Sequence, residues 1–77
     1  MIYNEKKANT EILKSKFGDN LKKAIKEKGY TKEEFSSYLN VSTRIVYDWI
    51  SGVKVPTLIR TVEICRLLDI SLDRLVR

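Results

Sequence analysis

Apolar side chains recur every three or four residues along most of the chain, separated by short polar breaks, and this rhythm predicts helices and no strands. Phe17, Leu21, Ala24, Ile25 and Lys28 mark one face of a first helix, which Gly29 closes. Ala8, Ile12 and Leu13 continue its stripe upstream. The helix therefore begins near Thr10, or a separate short helix precedes it, and Met1 to Asn9 reads as a loose arm.

The stretch TKEEFSSYLNVSTRIVYDWISG, residues 31–52, carries two short helices. Phe35 and Leu39 are the apolar positions of one, Val46, Trp49 and Ile50 of the other, with Val41 between them. Thr31 and Ser42 stand where each starts and can accept a bond from an unsatisfied backbone N–H. Glu34 completes a capping-box pattern with Thr31. Asn40, a residue that tolerates positive φ, falls in the turn. A helix, a turn of about four residues and a second helix is the arrangement that presents an exposed helix to a DNA major groove.

Downstream, Pro56 disfavours helix at Val55. Thr57 then caps a fourth helix with Leu58, Val62, Cys65 and Leu68 on one stripe. Asp69 takes the left-handed closing position, and Ser71 caps a last helix over 72–76. The chain reads as all-α: an extension over 1–16, as an arm or extra helix, followed by a five-helix domain over 17–77.

Composition narrows the chemistry. A single cysteine, Cys65, allows no internal disulfide, and without histidine a zinc site is not expected. No apolar run reaches the roughly 20 residues of a membrane span, and the N-terminal stretch has no export-signal pattern, so a cytoplasmic protein is expected. Nucleophilic catalysis lacks a base, Asp69 and Asp73 suit a cap and a first turn, and no glycine-rich phosphate loop exists. No enzyme activity, cofactor or small-molecule effector is expected. Net charge is +5, which suits a polyanionic partner. The surplus is uneven: residues 1–30 hold eight lysines against four acids, residues 31–77 seven basic residues against six acids. The two short helices are therefore not a basic patch.

The layout over roughly residues 17–76 resembles the Cro and phage-repressor type of helix-turn-helix domain, in the lambda-repressor-like fold. Gly29, Thr31 to Phe35, Asn40-Val41-Ser42, Val46, Trp49, Gly52, Pro56, Leu58, Ile64-Cys65, Leu68, Ile70 to Asp73 and Leu75 carry the resemblance. Lys32 stands where the family commonly has a glutamine that touches the DNA backbone, and Ser36 replaces a small alanine at the helix crossing. Asn40 replaces the turn glycine, and Cys65 replaces alanine and is expected to be a buried, inert thiol. Ile25 and Ile50 fall where many members carry an arginine–glutamate ion pair. Exchange of both charges for apolar groups is tolerated where loss of one is not, so the two isoleucines are expected to be buried and in contact.

The resemblance implies a sequence-specific regulator of double-stranded DNA, of the repressor type, acting as a homodimer on a palindromic site. Thr43, Arg44, Tyr47 and Asp48 are then the expected base readers. Arg44 suits guanine O6 and N7, Asp48 suits cytosine N4, Thr43 a thymine methyl or phosphate, and Tyr47 a sugar or phosphate oxygen. The alternative for this face is a solvated surface with an Arg44–Asp48 pair. Ile45 either packs inward or meets a thymine methyl. Lys32, Ser42, Ser51 and Lys54, with backbone N–H groups at the starts of the second and fourth helices, are the expected phosphate contacts. Lys54 reads equally as an ordinary loop lysine, and Lys22, Lys23, Lys26 and Lys28 as the wet face of the first helix. The dimer surface is expected from the last helix, the extension, or both, and no separate sensor domain is expected. The alternatives are a protein-interaction module, motivated by the near-neutral residues 31–77, and a DNA-binding antitoxin.

Overall fold

The computed structural model describes the backbone of residues 2–77 and the side chains of residues 10–77. Five helices are present: α1 (Ile2–Glu27), α2 (Lys32–Leu39), α3 (Thr43–Ser51), α4 (Leu58–Leu68) and α5 (Leu72–Val76). The first differs from expectation. Instead of a loose arm followed by a helix, the chain from Ile2 onward is one unbroken helix of 26 residues. No proline interrupts this stretch and its first glycine is Gly18, so nothing local breaks it. At about 1.5 Å per residue it is nearly 40 Å long, close to the 43 Å long axis of the molecule.

The four shorter helices begin alike. Thr31, Ser42, Thr57 and Ser71 are extended N-caps whose hydroxyls accept from Glu34, Ile45, Arg60 and Arg74 N–H. At Thr31 the capping box is closed reciprocally, the Thr31 N–H donating to Glu34 Oε1 at 2.8 Å. The first four helices also end alike. Gly29, Asn40, Gly52 and Asp69 have φ of 86°, 60°, 81° and 54°, and each is followed by an N–H that reaches back to the last turn: Tyr30 to Ile25 O, Val41 to Ser36 O, Val53 to Asp48 O, Ile70 to Cys65 O. These bonds satisfy carbonyls that a helix end otherwise leaves open.

The core is one cluster of Phe17, Leu21, Ala24, Ile25, Phe35, Leu39, Val46, Trp49, Ile64, Leu68 and Leu75. α1 packs on α3 and α5, α2 on α3 and α4, and α4 on α5. Polar ties fix the ends. Asn20 Nδ2 donates to Leu75 O at 3.0 Å, Arg60 Nη1 donates to Leu39 O at 3.0 Å, and Arg74 meets Glu27 at 2.7 Å. The first two occupy terminal carbonyls of α5 and α2.

Ile25 is buried as expected, but Ile50 is only half-buried, packed against the cluster that contains Ile25. Its backbone, rather than its side chain, makes the notable approach. A Cβ at Gly18 would overlap the Ile50 carbonyl oxygen and lie 2.9 Å from Trp49 O. Gly18 thus lets the middle of α1 press directly on the C-terminal turn of α3. A glycine inside a helix costs about 1 kcal/mol relative to alanine, and close packing offsets that cost. Cys65 is also half-buried rather than buried, and desolvation pushes its thiol above the usual cysteine range.

Candidate nucleic-acid interface

The apolar stripe of α3 sets which residues face out. Val46 and Trp49 are buried and pin the helix to α1 and α2, while Ile45 packs inward, half-buried, against the core. The inward reading of Ile45 therefore matches its position. With that stripe turned in, Arg44 and Tyr47 are exposed and Thr43 and Asp48 half-exposed.

Thr43 is held from below. Ser36 is buried where α2 crosses α3, and its hydroxyl donates to Glu33 O at 2.8 Å. Ser36 Oγ also lies 3.1 Å from Thr43 Oγ1. A hydroxyl has one proton, and that of Ser36 is committed to the Glu33 carbonyl, so Thr43 is the donor in this pair. The Thr43 proton therefore points into the protein, leaving its lone pairs and methyl for anything outside. This answers the need, created by a serine at a small-residue position, for a partner within the crossing.

Arg44 makes no hydrogen bond or ion pair with any described residue. The Arg44–Asp48 pair that would mark a self-contained surface does not form. Asp48 instead meets Lys54 from the following loop, at 3.9 Å with 21% of its side chain exposed. A single long contact with a mostly exposed lysine contributes little stability, but it places a positive charge beside the carboxylate.

Tyr47 is 46% exposed, and Lys32 Nζ sits 5.6 Å from its ring centroid. An ammonium over a tyrosine face at an exposed site is worth about 0.5–1 kcal/mol. The contact draws Lys32, the first residue of α2, over α3, so a base-reader candidate and a phosphate candidate become one unit across the two helices. Glu33 lies beside Lys32 in the first turn of α2, whereas Glu34 is turned back onto the Thr31 N–H.

The remaining phosphate candidates separate by how their protons are used. Ser42 accepts from Ile45 N–H at 3.2 Å as a cap, so its own proton is available to an outside oxygen. Ser51 Oγ donates to Asp48 O at 3.2 Å, so its proton is engaged within α3 and must rotate away to meet a phosphate. Lys54 is exposed in the loop and bridged to Asp48. Lys22, Lys23 and Lys26 lie on the exposed face of α1, and Lys28, expected there too, is exposed in the turn just after it. Spacing did not bring out Gly18, although a lone glycine inside a long helical pattern is a recognised sign of close approach. The Lys32–Tyr47 and Asp48–Lys54 pairings had no sequence signal, since each joins separate elements.

No curated protein matches the chain. Among the described residues no helix is long and apolar enough to cross a membrane. The helix-turn-helix family of the XRE/Cro-CI type matches residues 21–75, more than two thirds of the chain and the whole of α2 through α4. The all-α bundle, the capped α2–α3 pair and this match agree, and the chain belongs to the XRE/Cro-CI-type helix-turn-helix family of DNA-binding regulators.

Proposed function

We propose that the protein is a sequence-specific repressor that binds a palindromic operator as a homodimer, with α3 in the major groove of each half-site. The observation that carries this reading is the uncommitted Arg44 on the exposed face of a helix whose neighbours are all anchored. Arg44 takes guanine O6 and N7. Thr43, its proton turned inward to Ser36, offers an acceptor to adenine N6 or cytosine N4 and a methyl to thymine. Asp48 accepts from cytosine N4, and Tyr47 lies along the sugar–phosphate edge. Lys32, Ser42 and Lys54 hold phosphates, with Ser51 contributing once its proton turns outward. Lys54 also screens Asp48, which lowers the repulsion a carboxylate meets near phosphates.

The acting protein is cytoplasmic in this reading, and its partners are double-stranded DNA and a second copy of itself. Selection from a pool of random duplexes tests it. A two-fold symmetric sequence with half-site centres about 34 Å apart, or a multiple of that, supports the proposal. Recovery of no preferred sequence, with weak binding that changes little with salt, overturns it in favour of an interaction module on the same fold.

A further inference from the structure

Positive charge and base-reading chemistry are separated in this molecule. Over residues 31–54, which hold α2, α3 and the loop behind them, Lys32, Arg44 and Lys54 are balanced by Glu33, Glu34 and Asp48. The surplus gathers instead along α1 and the turn that ends it. Lys16, Lys22, Lys23, Lys26 and Lys28 are all exposed, with Asp19 among them, and this stripe carries +4 of the chain's +5. None of the five lysines has a hydrogen bond or ion pair with a described residue. By contrast Lys14, Lys54, Arg60, Arg74 and Arg77 each meet a carboxylate, and Arg74 occupies Glu27 beside the stripe. Lys26 stands one helical turn from both Lys22 and Lys23, and like charges at that spacing destabilise a helix. An anion laid along the stripe relieves that repulsion.

The stripe is also remote from the groove-facing helix. α1 turns Phe17, Leu21, Ala24 and Ile25 into the core, where α3 meets it with Val46 and Trp49. The exposed sides of α1 and α3 therefore point to opposite sides of a molecule that is 22 by 20 Å across its shorter axes. Exposed charges farther apart than a Debye length, about 10 Å at 0.1 M salt, are largely screened. DNA seated on α3 consequently draws little attraction from these lysines.

We propose that the lysine stripe of α1 binds the phosphate backbone of a second DNA duplex, so that one molecule holds two segments of DNA. The inference rests on the DNA-binding reading above, but on neither its operator nor its dimer. Surface chemistry selects the occupant. From Lys16 to Lys28 every exposed residue of the stripe is polar or charged. A lipid surface calls for apolar groups that enter the acyl boundary, and a protein partner for aromatic or aliphatic anchors. The stripe offers neither, whereas a phosphate backbone is held by charge alone and without regard to sequence. At about 1.5 Å per residue, Lys16 to Lys26 spans about 15 Å, which faces four or five phosphates of one strand at about 3.4 Å each.

The test uses the full chain with one duplex anchored to beads and a second, labelled duplex free in solution, at about 0.1 M salt. The wild type retains the labelled duplex on the beads. The triple variant Lys22→Gln, Lys23→Gln, Lys26→Gln retains at least 10-fold less, while its affinity for a single duplex carrying the selected site stays within about 2-fold. Glutamine forms helix about as well as lysine, so circular dichroism is unchanged. Wild-type capture falls with salt with a log–log slope of about −3 to −4, as expected for about four neutralised phosphates. A wild type that binds one duplex and captures no second one overturns the proposal and leaves the stripe a solvated face. Capture that survives the triple change overturns it too, and gives bridging to two copies of α3. Parallel loss of capture and of single-site affinity places the stripe on the duplex that α3 reads, which also overturns it. DNA selection is scored separately. Lysine-dependent capture without any preferred sequence leaves this site standing and removes the operator reading.

Discussion

The α2–α3 unit and the face formed by α1, α4 and α5 use the same residue types in opposite ways. On α3, Val46 and Trp49 are buried and the polar residues Arg44 and Tyr47 are turned out. On the other face Leu58, Val62 and Leu72 of capped helices point into water. α2, α3 and α4 are closed by the same hydroxyl caps and left-handed residues, and α5 begins with the same kind of cap, so the caps do not distinguish the two regions. What differs is which side of each helix finds a partner within the chain. α3 turns Val46 and Trp49 fully and Ile45 and Ile50 partly inward, and leaves Arg44 and Tyr47 outside. α4 and α5 bury Ile64, Leu68 and Leu75 and have apolar groups left over. The first surface suits the polar edges of bases, the second suits exclusion of water.

The largest expected effect comes from uncoupling the two regions at Gly18. In Gly18→Ala the added methyl meets backbone oxygens of α3 that no rotamer change relieves. Chemical denaturation is expected to show a loss of about 3 kcal/mol, the upper end for overpacking. Unchanged stability would mean that α1 does not press on α3. A smaller loss is expected at the helix crossing. Ser36→Ala removes the acceptor of the Thr43 proton and costs about 1 kcal/mol. It also frees the Thr43 hydroxyl to donate outward, so base preference at one position in each half-site shifts toward acceptor edges. A stability loss with an unaltered preference would detach Thr43 from base reading.

On the apolar face, burial raises the Cys65 thiol, so little thiolate is present at neutral pH. Its alkylation is expected to be slower than that of a free thiol at pH 7 and to accelerate as pH rises through and beyond the usual cysteine range. A rate equal to that of free cysteine at every pH would place it in open solvent. The smallest effects belong to the lysines. Lys32→Ala is expected to lower the salt slope of DNA binding by about 1 with uniform loss across sequences. Lys54→Ala is expected to lower it less, because Asp48 is released when its partner goes. Equal slopes would show that the Asp48–Lys54 contact does not persist on DNA.

Much of this arrangement was legible in the chain. Caps at Thr31, Ser42, Thr57 and Ser71 and closures at Asn40 and Asp69 follow from local backbone chemistry, which a few adjacent residues encode. The inward turn of Val46 and Trp49 follows from spacing. The reach of α1 back to Ile2 is less legible, because upstream of Phe17 only Ala8, Ile12 and Leu13 continue the apolar stripe and the remaining sign is the absence of a helix breaker. Ile50 is less buried than its place in the family pattern predicts: its side chain is half-buried against the core, and its backbone carbonyl faces Gly18. The Ser36–Thr43, Lys32–Tyr47 and Asp48–Lys54 pairs depend on how α2, α3 and the loop are set against one another, which no single stretch specifies.

The central claim is that α3 reads bases through Arg44. Binding of the wild type and Arg44→Ala, measured across salt on the selected site and on a scrambled duplex, tests it most directly. The account predicts a loss of about 1–3 kcal/mol on the site and much less on the scrambled duplex, with nearly parallel salt slopes. Equal loss on both duplexes would contradict it and reduce Arg44 to a phosphate contact.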